Sequence, residues 1–505
     1  MTDPALTRPA PATPPRGRAP RPVLLAALGL LAPLAAAAQE DFDITSQIGP
    51  DPVLPEPQTS LLAEMNVAEV VGWQEGEAPE VAEGLQISAY ATDLANPRTV
   101  HTLPNGDVLV VQSRGPGEPV SRPKDLVRGW IMAYAHGQGG ESRESNLVTL
   151  LRDTDRDGTV DERTDLLTGL ASPFGVAWTE GTLYVAATDG ILAYPYELGD
   201  TEIGGEPRML TPLPGGPINH HWTKDLALSP DGERLFASVG SNSNVAENGM
   251  EAEKGRAAIW EIDRQNGAAR VYASGLRNPN GLTFHPETGT LWTVVNERDE
   301  LGPNLVPDYM TSVEDGAFYG WPWSYFGDHV DARVHPPRPD MVARAIAPDY
   351  ALSSHVAALG MVFSRGAAMP DAFAAGAFVG EHGSWNRDTF NGYKVVYIPF
   401  TDGRPDGMPV DVATGFLGDG VVHGRPVGLG IDGTGALLVA DDAGNTVWRI
   451  SAADGSITPQ PRGTDGQTLS AGDTGPREDT GSPPAPGGET GAAPSQPEIA
   501  PATGE

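Results

Sequence analysis

The chain has no cysteine, which excludes disulfides, a covalently attached c-type haem, and thiolate-held zinc or iron–sulfur centres. Basic residues are scarce. Thirty-three Lys and Arg stand against 67 Asp and Glu, a formal charge of −34. Nucleic acid and anionic bilayers repel such a polyanion, so neither is expected as a partner. No apolar run is long enough to span a bilayer, so stable membrane insertion is not expected. The composition is also poor for helices. Gly (62) and Pro (48) make up about a fifth of the 505 residues and suit many short strands and turns.

The N-terminus reads as a targeting signal. Residues 1–22 carry Arg8, Arg16, Arg18 and Arg21, and an apolar run from Val23 ends in Ala35–Ala38 before Gln39-Glu40-Asp41. Charged region, short apolar core and small-residue cleavage site make a secretory signal peptide over residues 1–38, so the mature protein is expected to be periplasmic or secreted. Residues 39–83 are acidic and proline-containing, and a loosely packed lead-in is expected there. Residues 453–505 consist of Gly, Pro, Ser, Thr, Asp and Glu with almost no large apolar side chain, a composition expected to stay disordered.

Between these, residues 84–452 repeat one pattern: a loop, an apolar strand, a turn and a second apolar strand. Copies begin near Asp93, Gly169, His221, Gly275, Ala358 and Gly424, at spacings of roughly 50–85 residues. The third is the plainest. Asp225-Leu-Ala-Leu and Leu235-Phe-Ala-Ser-Val flank a Pro230-Asp231-Gly232 turn, a hairpin signature, with His220 and His221 on the loop before it. Radial repetition of small antiparallel sheets predicts an all-β, six-bladed β-propeller.

In a propeller the loops entering the innermost strands converge at the axis. They offer Arg98, His220, His221, Arg277, Asn278, His355, His423 and Arg425. Positive charge gathered there in so acidic a chain suits a polyanionic ligand, because arginine forks pair with carboxylates. A surface or hydrogen-bonded histidine is the plainer reading of either His taken alone. Asp153, Asp155, Asp157 and Asp161, with Gly158 between them, match the start of a calcium loop. Thr164 replaces its final glutamate, and an acidic turn between blades is the alternative. Asn296, Glu297 and Asp299 form a second hard-oxygen cluster; a solvated acidic loop is its alternative.

His221 with its strand, Leu276-Arg-Asn-Pro-Asn-Gly, Asn296-Glu297, Tyr319-Gly-Trp-Pro and Gly424-Arg-Pro-Val resemble the soluble PQQ-dependent glucose/sorbosone dehydrogenase family over about Gly84–Ile450. The resemblance implies a pyrroloquinoline quinone on the axis, a calcium ion bridging quinone and protein, and oxidation of a sugar aldose or aldehyde. It implies His221 as general base, with Arg277, Asn278, Arg425, His423 and His220 holding cofactor or substrate, and Arg387 completing the clamp. Asn296, Glu297 and Asp299 are the candidates for the active-site calcium. With no haem of its own, the enzyme is expected to pass electrons to a separate cytochrome or quinone.

The chain also departs from the family. Leu170-Ala-Ser-Pro stands where glucose-oxidising members carry glutamine, and Arg298-Asp299 stands near the expected Gly-Pro. The sorbosone-dehydrogenase-like branch is therefore the nearer likeness. Two rival readings remain: a calcium-dependent sugar lactonase, expected to place Glu, Asn and Asp on the inner loops, and a non-catalytic binding propeller.

Overall fold

The computed structural model describes residues 42–59, 65–117 and 145–455. The expected signal peptide and nearly all of the expected disordered tail lie outside these residues. From Ile44 onward the chain forms antiparallel sheets, with one four-residue α-helix among the described residues, Pro339–Val342.

Six of these sheets have four or more strands. Their first strands are Pro97–Thr102, Val176–Thr179, Leu226–Leu228, Asn278–Phe284, Ala358–Phe363 and Pro426–Ile431, and the sheets are numbered here in that order. These strands neighbour one another in sequence order, and the sixth returns to the first, so they line an axis. This is the propeller arrangement, and each first strand begins within one of the six sequence repeats. The second strands are buried along all or nearly all of their length, Val108–Gln112 and Leu437–Asp441 at every residue. Sheets packed on both faces demand continuous apolar runs instead of alternation.

The ring closes between chain ends. Leu85–Ala91, which precedes the first repeat, pairs with Thr446–Ala452 as the outer strand of the sixth sheet, Leu85 opposite Ala452. That pairing leaves the sixth sheet complete and joins the first described strands to the last.

The lead-in is not loose. Ile48–Gly49 adds to the edge of the fourth sheet, Glu80–Val81 adds to the fifth, and Glu69–Val70 lies parallel to Val421–Val422. Trp73 donates its Nε1–H to Asp441 Oδ2 at 2.7 Å and packs among Phe416, His423 and Trp448. Open sheet edges are rows of unmet amides and carbonyls, and this segment satisfies three stretches of them. Its acidic composition concealed that role.

The axis is blocked midway by an apolar cluster of Phe174, Leu359 and Val427, with Trp222 against it. Phe174 and Leu359 line one cavity with His101, Asp225 and Arg365, and Leu359 also lines a second. The end formed by the loops entering the first strands holds the candidate site.

Candidate active site

A cavity of about 220 Å³ is lined by His220, His221, Arg277, Asn278, Asn296, Glu297, Asp299, His355 and Arg425, all singled out from sequence. Asp308, His382, Trp385 and Asp442 join them. Apart from Asp308, on the third strand of the fourth sheet, two structural positions supply this lining: loops entering first strands, and residues at or just past the ends of second strands. The first kind follows from the repeat. Of the second, Asn296, Glu297 and Asp299 were singled out, whereas His382 and Asp442, each one residue beyond a second strand, were missed.

His221 is held from its Nδ1 side. That nitrogen lies 3.0 Å from Ser241 O and 2.9 Å from Ser241 Oγ, and the Ser241 hydroxyl donates to Ser243 O at 2.6 Å. Gly240 makes the approach feasible. A Cβ there would stand 2.4 Å from His221 Cβ and 2.6 Å from Asn278 Oδ1.

Arg277 lines the cavity, but its donors already serve Asn244 O and Oδ1, Glu297 O and Asp299 Oδ2. It braces the wall. Asn278 Oδ1 and Arg425 Nε are buried without a hydrogen-bond partner. The Arg425 guanidinium lies 5.1 Å from the centre of the Tyr393 ring. Asn278 and Arg425 both line the cavity.

Two expected members lie elsewhere. The Arg387 guanidinium is bound to Pro303 O, Ser354 Oγ and Thr389, and the residue does not line the cavity. His423 turns outward to Gly72 O at 3.2 Å and stacks by Trp73, so the lead-in holds it. Neither displacement was visible in the chain, because both depend on segments distant in sequence.

The carboxylates are nearly all engaged. Glu297 pairs with Arg298 at 2.9 Å, though its Oε1 is buried without a partner. Asp299 pairs with Arg277 at 3.1 Å. Asp308 accepts the amides of Glu297 and Ala357, each at 2.7 Å, and burial pushes its carboxyl up to about 7. His355 reaches Gly302 O at 3.2 Å from a loop where Ser353, His355 and Ala357 all have positive φ, the kind of strained backbone found at functional sites. Asp442 holds His382 Nε2 at 3.0 Å and pairs with Arg98.

The expected separation from a lactonase by inner-loop Arg and His alone does not hold, since four carboxylates also enter the cavity. They are dispersed onto cations and amides, however. Among the described residues the gathered His, Asp or Glu cluster that could hold a metal ion is Asp153, Asp155 and Asp161. Asp157, named with them from sequence, instead accepts the Thr159 amide.

Residues 197–384 match the family model described as Glucose / Sorbosone dehydrogenase, and residues 340–453 match one described as TrAA12-like. Over the first of these stretches the chain is similar to glucose/sorbosone dehydrogenases. An uncharacterised protein of Borreliella burgdorferi is 27% identical over 294 residues, covering 56% of this chain and 76% of that protein. A pyrroloquinoline quinone-dependent pyranose dehydrogenase of Coprinopsis cinerea is 26% identical over 258 residues, 43% of this chain. The matched part spans about a third (34%) of the length of that dehydrogenase. The solved PQQ domain of pyranose dehydrogenase from Coprinopsis cinerea, in its holo form, superposes with a TM-score of 0.59 at 21% identity, covering 76% of this chain and 100% of that one. At that identity the likeness speaks for the propeller fold. The glucose/sorbosone dehydrogenase match is a match to oxidoreductases, and it overlies His221, Arg277, Asn278 and His382.

A polyanionic quinone needs cations and unengaged polar atoms, and Arg425 Nε and Asn278 Oδ1 supply them. A calcium ion needs hard oxygens, and Glu297 Oε1 is one without a partner. The residues fit the quinone, and for calcium the cavity offers this one unpartnered carboxylate oxygen, while the gathered cluster of Asp153, Asp155 and Asp161 lies outside it.

Proposed function

We propose that the protein is a periplasmic or secreted quinoprotein dehydrogenase whose six sheets are the blades of a six-bladed propeller. In this reading it oxidises a sugar aldose or aldehyde, sorbosone-like or aldose-like, and passes electrons to a separate cytochrome or quinone. One observation carries the reading: the setting of His221. Both oxygens facing Nδ1 are acceptors, because the backbone carbonyl can only accept and the Ser241 hydrogen is directed to Ser243 O. That network assigns the ring proton to Nδ1, so the neutral ring carries its lone pair on Nε2, the form a general base requires.

Pyrroloquinoline quinone, when bound, supplies the two-electron chemistry. The protein does the rest. His221 Nε2 takes the proton of the reacting sugar hydroxyl, and the Ser241 oxygens stabilise the imidazolium through Nδ1–H. Arg425 stabilises negative charge developing in the cavity, favoured by burial that weakens solvent screening. Asn278 Oδ1 accepts a hydrogen bond from the bound groups, and Glu297 Oε1 would hold calcium. Arg277, tied to Asn244 and Asp299, keeps the wall in place.

The test is reconstitution. Purified protein given pyrroloquinoline quinone and Ca²⁺ should oxidise one or more aldoses or aldehydes with an artificial electron acceptor. Absence of both quinone binding and sugar oxidation would overturn the reading. Export is checked separately, by locating the protein in cell fractions and sequencing its mature N-terminus.

A further inference from the structure

His382 is held as firmly as His221 but in the opposite sense. It directly follows Gly376–Glu381, the second strand of the fifth sheet, and its amide donates to Ala357 O at 3.0 Å. Its Nε2 lies 3.0 and 3.1 Å from the two carboxylate oxygens of Asp442, which also pairs with Arg98. A carboxylate can only accept, so Nε2 carries the proton. In the neutral ring Nδ1 is then a bare acceptor. Among the described residues Nδ1 has no hydrogen-bond partner, and it is not sealed from the cavity that His382 lines. The neutral state is secured by burial, which lowers His382 to about 4. Asp442 opposes that shift, and the nearby Arg425 and Arg98 reinforce it.

A neutral acceptor beside Arg425 discriminates between ligands. A quinone carboxylate presents lone pairs and cannot hydrogen-bond to Nδ1, whereas a hydroxyl presents a donor. We infer that His382, oriented by Asp442, is a substrate-recognition residue whose Nδ1 accepts a hydrogen bond from a sugar hydroxyl. This rests on the sugar-oxidising reading above. His221 and His382 then divide the work: one removes a proton and the other fixes which hydroxyl faces it.

The variant that isolates the role is His382→Gln. Its side-chain amide can keep the donor toward Asp442 but offers nothing at the Nδ1 position. Sugar binding to the quinone-loaded protein without electron acceptor, read by calorimetry, should weaken about tenfold. Quinone titration and thermal midpoint should stay near wild type. In steady state KM should rise with little change in kcat, and a deoxy sugar lacking the recognised hydroxyl should lose the difference between the two proteins.

A second readout needs neither turnover nor sugar. The ¹⁵N shifts of His382 should report an Nε2–H tautomer with an unprotonated Nδ1, and Asp442→Asn should disturb that state. A wild type that oxidises sugars alongside a Gln variant with the same sugar affinity would overturn the His382 assignment alone, and so would an Nδ1–H tautomer. A wild type that binds neither quinone nor sugar would overturn the functional reading, and the tautomer measurement would still stand.

Discussion

Gly240→Ala tests the positioning of the base with a single methyl group. Gly240 does not adopt a left-handed backbone, so alanine brings no conformational penalty and the effect is purely one of contact. The new Cβ would meet His221 Cβ at 2.4 Å and Asn278 Oδ1 at 2.6 Å, where ordinary contacts lie at 3.4–4 Å. About 1 Å of movement must therefore be found, and the His221 loop is the neighbour able to give. Moving the ring that far stretches its 2.9 Å link to Ser241 Oγ beyond hydrogen-bonding range. Loss of the tautomer lock and an error of about 1 Å in the base should lower the rate of quinone reduction roughly 10²-fold. Overpacking of this kind costs about 1–3 kcal/mol, so the thermal midpoint should fall by no more than a few degrees in a domain of this size. The assay is single-turnover reduction by saturating sugar, with thermal unfolding in parallel. A variant that reduces quinone at the wild-type rate would refute the claim that this close packing sets the base.

Three further outcomes are expected. His221→Ala should slow quinone reduction by ~10²–10⁴-fold with quinone affinity nearly intact, whereas Arg425→Ala should weaken quinone binding by roughly 1.5–3 kcal/mol; equal effects on both quantities in both variants would dissolve the division of roles. Exhaustive chelation should lower activity, with calcium restoring it better than magnesium, since Glu297 and the Asp153–Asp161 turn offer carboxylate oxygens and magnesium demands a tighter octahedral geometry. The last outcome concerns Glu381, whose buried carboxyl is raised from 4.5 to about 8, chiefly by desolvation, and whose Oε2 has no partner. Because the folded value lies above the unfolded one, the associated stability is whole below pH 4.5 and is lost as pH rises toward 8. Glu381→Gln should therefore gain stability relative to wild type across that window, by several kcal/mol at its upper end. Parallel melting curves from pH 5 to 8 would contradict this.

What the chain determined by itself is the repeat. A strand, a turn and a second, largely apolar strand are local patterns, and packing on both faces keeps the second strands apolar, so the first strand ahead of each could be found from sequence. Because loops entering those strands converge at the axis, His220, His221, Arg277, Asn278, His355 and Arg425 followed as well. Tertiary structure decided what each polar group meets. Arg277 and Arg387 are both arginines in loops near the site, yet one braces the cavity wall and the other is bound to Pro303 and Ser354, a difference set by partners far away in the chain. His423 is drawn outward by a lead-in whose composition suggested no contact. Leu85–Ala91 closes the sixth sheet because edge hydrogen bonds must be met somewhere, and only the closed ring shows where. Ser241 and Asp442 fix opposite tautomers of two histidines. Spacing cannot encode this, because a proton's place on an imidazole depends on which atom the fold brings to face it.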